Sequence, residues 1–162
     1  MSSNALDFTA DGLRSAGFVG FKSIASLRES KCAEVPSSPG VYMVLRTSGL
    51  PPQWLETSTG GWFKKRNPTV AVSVLEARLI QETPVVYIGK ADVLRKRLRD
   101  YLAFGSGKPV GHWGGRYIWQ LGDADDLIVA WKVVEQPGVV EGELLRAFSA
   151  RFGALPFANL RF

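Results

Sequence analysis

The run Pro84-Val85-Val86-Tyr87-Ile88-Gly89 and the segment that follows it constrain this chain more than any other stretch. The β-branched and aromatic residues predict a central strand. It passes without a linker into Lys90-Ala91-Asp92-Val93-Leu94-Arg95-Lys96-Arg97-Leu98-Arg99-Asp100-Tyr101, where Leu94, Leu98 and Leu102 line one face of a helix. Asp92 is placed to cap that helix. Phenol, ammonium and guanidinium groups thereby gather round one spot. Such groups can hold a phosphodiester, orient a water and stabilise charge on phosphorus.

Turn residues divide the rest of the chain. Pro36-Ser37-Ser38-Pro39-Gly40 is a break, after which Val41 to Arg46 reads as a strand. Residues 1–35 read as an N-terminal extension with some helix, since Phe18, Phe21, Ile24 and Leu27 recur at spacings of three. Residues 47–83 form an insertion that is loop-like at Gly49-Leu50-Pro51-Pro52 and Thr59-Gly60-Gly61-Trp62. Within it, Val70 to Gln81 favours helix because of Glu76, Ala77 and Arg78. Arg116 to Leu121 and Leu127 to Val134 read as two strands joined by an acidic turn. Val139 to Phe152 reads as a helix with Val140, Leu144, Phe148 and Phe152 on one stripe, stopped by Gly153. Strands mixed with helices over 162 residues predict one α+β domain with a small, mainly antiparallel sheet.

Composition narrows the setting. The start of the chain shows no basic stretch followed by an apolar run, no apolar segment has membrane-spanning length, and a single cysteine forbids an internal disulfide. We therefore expect a cytoplasmic protein with no membrane association. The formal net charge is +5, and between Lys90 and Arg99 five cations face one acid, Asp92. That distribution favours a polyanionic partner.

Among reactive groups, one cysteine and one histidine cannot build a usual zinc site. His112 sits in Gly111-His112-Trp113-Gly114-Gly115 with no matched partner, which reads as a loop or binding-surface histidine and not a general base. Gly105-Ser106-Gly107-Lys108 fails the spacing of a phosphate-binding loop, because Pro109 stands in the Ser/Thr position. The basic helix follows a glycine turn, so its N-terminal amides are open to an anion. Arg97 and Tyr101, four apart, share a side beside the leucine stripe. Glu141 rides the edge of the apolar face of the last helix, where an unpaired carboxylate is costly. Either a cation meets it there, as a salt bridge to Arg97 or Lys90 or as a bound metal ion, or the helix is rotated from this stripe. A lone carboxylate with waters suits Mg²⁺. Asn159, after Leu155-Pro156-Phe157-Ala158, is either a turn residue or an amide that pins backbone or a neighbouring tyrosine.

Taken in order, these residues resemble the GIY-YIG nucleases. Gly40-Val41-Tyr42 stands for the first motif and Tyr87-Ile88-Gly89 for the second. Lys90-Ala91, Leu94, Arg95-Lys96-Arg97-Leu98 and Tyr101 are similar to the helix of the repair-type members. Glu141-Gly142-Glu143-Leu144-Leu145 resembles the acidic helix, and Pro156-Phe157-Ala158-Asn159 the terminal asparagine motif. The likeness covers about residues 39–160. It implies a three-stranded antiparallel sheet flanked by helices, with one active site and one divalent metal, Mg²⁺ or Mn²⁺, on Glu141. Tyr42 or Tyr87 would orient or deprotonate the water, and Arg97 would stabilise phosphoryl charge. Gly89, Lys90, Tyr101 and Asn159 would support the site.

The implied activity is hydrolysis of phosphodiester bonds in DNA, as in repair or restriction. The alternative is a module of the same fold that binds nucleic acid without cutting it. Lys90, Arg95 and Arg99 on the basic helix, with Lys64, Lys65 and Arg66 in the insertion, are the expected nucleic-acid contacts. The insertion is the main departure, since 44 residues separate Tyr42 from Tyr87 where relatives have a short link. Its aromatic and basic residues could track a strand or form a lid packed on the core.

Overall fold

A computed structural model of the chain describes residues 6–161. The elements in order are α1 (Ala10–Ser15), β1 (Val19–Ser23), α2 (Ile24–Ser30), β2 (Gly40–Leu45), α3 (Val72–Arg78), β3 (Val85–Ala91), α4 (Leu94–Gly105), β4 (Ile128–Val133) and α5 (Pro137–Phe152). A 3₁₀ helix, Trp113–Gln120, lies between α4 and β4. The α+β class holds. The sheet has four strands in the order β1-β4-β2-β3, all antiparallel, and this corrects the expected three.

The fourth strand comes from the N-terminal extension. The spacing of Phe18, Phe21, Ile24 and Leu27 mimics a helix, but these side chains serve two different cores. Phe18 and Phe21 pack with α1 and α5 on one face of the sheet, whereas Ile24 and Leu27 pack on the other. The chain changes faces through a bulge between Gly20 and Lys22, with φ of 94° at Gly20 and 54° at Phe21. A Cβ at Gly20 would lie 2.5 Å from the Trp131 ring, so glycine is required there. The first five residues, on which the expectation of no signal segment partly rests, lie outside the described residues.

A second correction concerns Arg116 to Leu121, expected as a strand. Tyr117, Ile118, Trp119 and Gln120 are all buried in succession, and a short run buried on every side fits a central strand or a helical coil equally well, so its apolar pattern does not distinguish them. The segment coils against α4 instead. Gln120 fastens the insertion from there: its amide donates to the carbonyls of Leu55 and Val70 and accepts from the Val70 N–H. The insertion is therefore ordered over the α4 side, and its helix is the short α3. Trp54 behaves as a lid residue, 5.5 Å ring to ring from Phe157, while Trp62 stays 58% exposed.

The register puts Tyr42 opposite Gly89 on β3 and opposite Trp131 on β4. Alternation along the strands sends Tyr42, Val44 and Tyr87 toward α4, and Val41, Met43 and Ile88 toward α5. Val86 joins Tyr87 on the α4 side because the register of β2 and β3 shifts there, leaving Val86 as an extra residue. The leucine stripe of α4 is buried as the periodicity predicts. On α5 the most buried side chains are Leu145 and Phe148, so that helix is turned slightly from the expected stripe. It ends at Gly153 with φ 77°, a left-handed stop. Among the described residues no helix is long and apolar enough to cross a membrane.

Candidate active site

β3 is an edge strand, and its open side is closed by one side chain. The Asn159 amide accepts from the Ile88 N–H and donates to the Ile88 carbonyl, both at 2.9 Å. Ala158 N–H adds a bond to Val86 O. Asn159 thus stands in for a further strand along the Tyr87-Ile88-Gly89 segment. Of the two roles open from sequence, it is the amide that pins backbone.

Gly89 is dictated by Tyr42. A Cβ there would fall 2.4 Å from Tyr42 Cζ and 2.6 Å from its Oη. The glycine lets the phenol lie flat across β3, next to Tyr87 at 6.0 Å ring to ring. Tyr101 completes an aromatic layer, 5.5 Å from Tyr87 and 6.4 Å from Tyr42. Its hydroxyl donates to Gly115 O at 2.7 Å.

His112 requires a correction. It is no surface histidine but fully buried. Its ring stacks on Tyr101 at 3.7 Å, and Nε2 lies 2.8 Å from Tyr42 Oη. Its Nδ1 is buried without a partner. Burial, with the nearby Arg97 charge adding to it, holds the imidazole well below its usual range, so it is neutral near pH 7. The pairing spans 70 residues of sequence, and no local signal announced it.

Beside this layer opens a cleft of about 620 Å³ lined by Tyr87, Lys90, Glu141, Leu145 and Asn159. Arg66, Trp113, Gly114, Arg116, Leu160 and Arg161 complete its wall. It runs along the β3 edge, where elements from both faces of the sheet meet. That is how Tyr87, on the α4 side, comes to share a cavity with Glu141 of α5. Tyr42 and Tyr101 stand one layer behind, so Tyr87 is the phenol that reaches the cleft.

The electrostatics follow from this layering. Burial raises the phenols of Tyr42 and Tyr101, and it pushes Tyr87 up to about 12 against the lowering charge of Arg97. All three are protonated donors near neutral pH. Burial also raises the Glu141 carboxyl, while Lys90 and Arg97 oppose that shift. Glu141 forms no ion pair within 4.0 Å among the described residues, so the salt-bridge alternative does not hold. Arg97 does not itself line the cleft; it is anchored by a 3.0 Å bond to Gly111 O, and its charge acts on Tyr87 and Glu141.

Other expected contacts lie elsewhere. Arg95 donates to Val35 O and Ala33 O, and Arg99 to Lys31 O. They tie the N-terminal segment to α4, and neither lines the cleft. Lys64 and Lys65 are exposed and also stand outside it, whereas Arg66 is in its wall. Asp92 does not cap α4. The first helical amides, Leu94 and Arg95, donate to Ser38 O and Pro36 O, so backbone carbonyls occupy the groups that sequence offered to an anion. Sequence reasoning missed Trp113, Arg116 and Arg161. A cation three residues after a tryptophan in a glycine-rich loop was the available signal for Arg116.

Glu141 offers a single carboxylate, and among the described residues no three His, Cys, Asp or Glu side chains form a metal-binding group. One free carboxylate at an open, wettable cleft fits Mg²⁺, which keeps several waters and needs few protein ligands. Comparison of the chain with family models, with curated proteins and with solved structures finds no match.

Proposed function

We propose that this protein is a metal-dependent endonuclease of the GIY-YIG type, hydrolysing phosphodiester bonds in DNA at one site. One observation carries the reading: Tyr87, Lys90, Glu141 and Asn159, drawn from three separate stretches of chain, line the same cleft. A structural role alone gives no reason for an unpaired carboxylate to share a cavity with a phenol and an ammonium.

Glu141 would hold the metal. A bound Mg²⁺ or Mn²⁺ would polarise the phosphate and acidify a water. Tyr87, protonated near pH 7, cannot itself take a proton from that water. Its hydroxyl orients the nucleophile or donates to a phosphoryl oxygen. Lys90 lies over the first turn of α5, with Nζ 3.7 Å from where a Gly138 Cβ would be, and contributes positive charge beside Glu141. Arg97, fixed through Gly111, stabilises the negative charge that develops on phosphorus. Gly89 and Asn159 keep Tyr87 in place, and Tyr42, Tyr101 and His112 form the rigid wall behind it.

The test is cleavage of plasmid and branched DNA with and without Mg²⁺, for the parent protein, Glu141→Ala and Arg97→Ala. Metal-dependent cleavage is expected. It should be lost in Glu141→Ala and reduced about 10²–10³-fold in Arg97→Ala, the usual cost of removing a charge-stabilising donor. Activity that survives both substitutions overturns the mechanism.

A further inference from the structure

The wall of the cleft carries two guanidinium groups on one indole. Arg66 Cζ lies 4.8 Å and Arg116 Cζ 4.4 Å from the centroid of the Trp113 ring. All three residues line the same cavity as Tyr87 and Glu141. Placing like charges together opposes folding unless something offsets it. The indole face does so in part, yet neither arginine has a carboxylate partner among the described residues. Arg116 donates to Trp113 O at 3.1 Å, and its Nε is buried without a partner. With Lys90 and Arg161, four cations face one acid along the wall.

Arg66 is brought there by a built feature of the insertion. Phe63 and Arg66 pair backbone to backbone in both directions, at 3.2 and 3.0 Å. The two residues between them, Lys64 and Lys65, have φ of 51° and 63°. A two-residue turn with both central residues left-handed is a tight hairpin turn. It is held against the loop that carries His112, since a Gly111 Cβ would lie 3.7 Å from the Phe63 ring. The cleft, at about 620 Å³, has the size of sites that enclose a whole small molecule. One phosphodiester link does not fill it.

We propose that Arg66 and Arg116, stacked on Trp113, form a second phosphate subsite, which grips the phosphodiester next to the one at Glu141 on the same strand. A guanidinium held over a ring can turn its N–H fork to a phosphate, a recognition that lysine does not reproduce. The insertion is thereby part of the binding surface and not only a lid. The inference rests on the endonuclease reading for the fate of the strand, but the binding it asserts is measurable without cleavage.

The experiment uses Glu141→Gln protein, so that bound DNA stays intact. Affinity for a short DNA duplex is measured against salt, and dithymidylate, with one phosphodiester, is compared with trithymidylate, with two. Adding Arg66→Ala should weaken duplex binding about fivefold to tenfold at low salt and reduce the slope of log K against log salt by about 0.9, one phosphate contact. Arg66→Lys should keep that slope but not the full affinity. The parent should prefer trithymidylate, and Arg66→Ala should lose the preference. Arg66 is exposed, so its removal leaves the fold intact, while Arg116→Ala repeats the test from the half-buried side. An unchanged slope, or an undiminished preference for trithymidylate, overturns the subsite even if the parent cuts DNA. A protein that shows these binding changes yet leaves every DNA uncut with Mg²⁺ and Glu141 restored retains the subsite and loses the endonuclease reading. Absence of any affinity at low salt overturns the subsite outright.

Discussion

Replacing Asn159 tests the architecture of the site in the absence of any substrate. Its side chain makes two buried 2.9 Å bonds to one residue, accepting from Ile88 N–H and donating to Ile88 C=O. Alanine would strand both groups. Each buried orphan costs about 1–3 kcal/mol, and water from the adjoining cleft recovers part of that. We expect Asn159→Ala to lose about 2–3 kcal/mol in urea unfolding, with an unchanged m-value. Asn159→Asp is the sharper probe. As a carboxylate, the new side chain accepts from Ile88 N–H but faces the Ile88 carbonyl with no proton to give. As a neutral acid it satisfies both groups, as the amide does. The introduced carboxyl therefore has a folded pKa above its unfolded value of about 3.9, and the folded state binds the extra proton between the two. Its penalty is small below about pH 4 and grows by about 1.4 kcal/mol per pH unit as pH rises, until the folded pKa is passed. The alanine penalty has no such dependence. The measurement is the difference in unfolding free energy between the two variants from pH 4 to pH 7. A flat difference, or an alanine cost under about 0.5 kcal/mol, would refute the two-bond clamp on β3.

Two further outcomes follow from the layer behind Tyr87. Gly89→Ala forces a methyl into the Tyr42 ring at 2.4 Å; Tyr42 is fully buried, so overpacking should cost about 1–3 kcal/mol in urea unfolding. His112 is neutral in the fold, with its pKa lowered by burial, so the unfolded state binds the extra proton. Stability is then complete above about pH 6.5 and falls by up to about 1.4 kcal/mol per unit as pH drops below it. In His112→Gln this acid-side component should vanish from the pH profile of unfolding, and a profile identical to the parent's would contradict the buried neutral ring.

The difference between what could be read early and what could not is one of range. The Tyr87-Ile88-Gly89 strand, the leucine stripe of α4 and the glycine stop of α5 rest on neighbours within a turn or a strand, where side-chain periodicity reports directly on the face that is buried. Glu141 was singled out by the same local reasoning, as a carboxylate on the margin of an apolar stripe. Errors arose where local pattern and tertiary use diverged. Phe18 to Leu27 carried a helical spacing because a bulge delivers its apolar side chains to opposite faces of the sheet. Asp92 had the chemistry of a cap, yet the 36–38 loop supplied carbonyls first.

The sequence by itself determined an α+β chain, a tyrosine-bearing strand leading into a basic helix, and the acid, amide and cations from which a site could be made. Tertiary structure alone decided that β1 joins the sheet, that His112 is buried against Tyr42 and that Arg66 reaches the cleft wall. Each of these rests on pairing between segments far apart along the chain. Such pairing is governed by which surfaces exclude water together, and periodicity within a single segment carries no record of it.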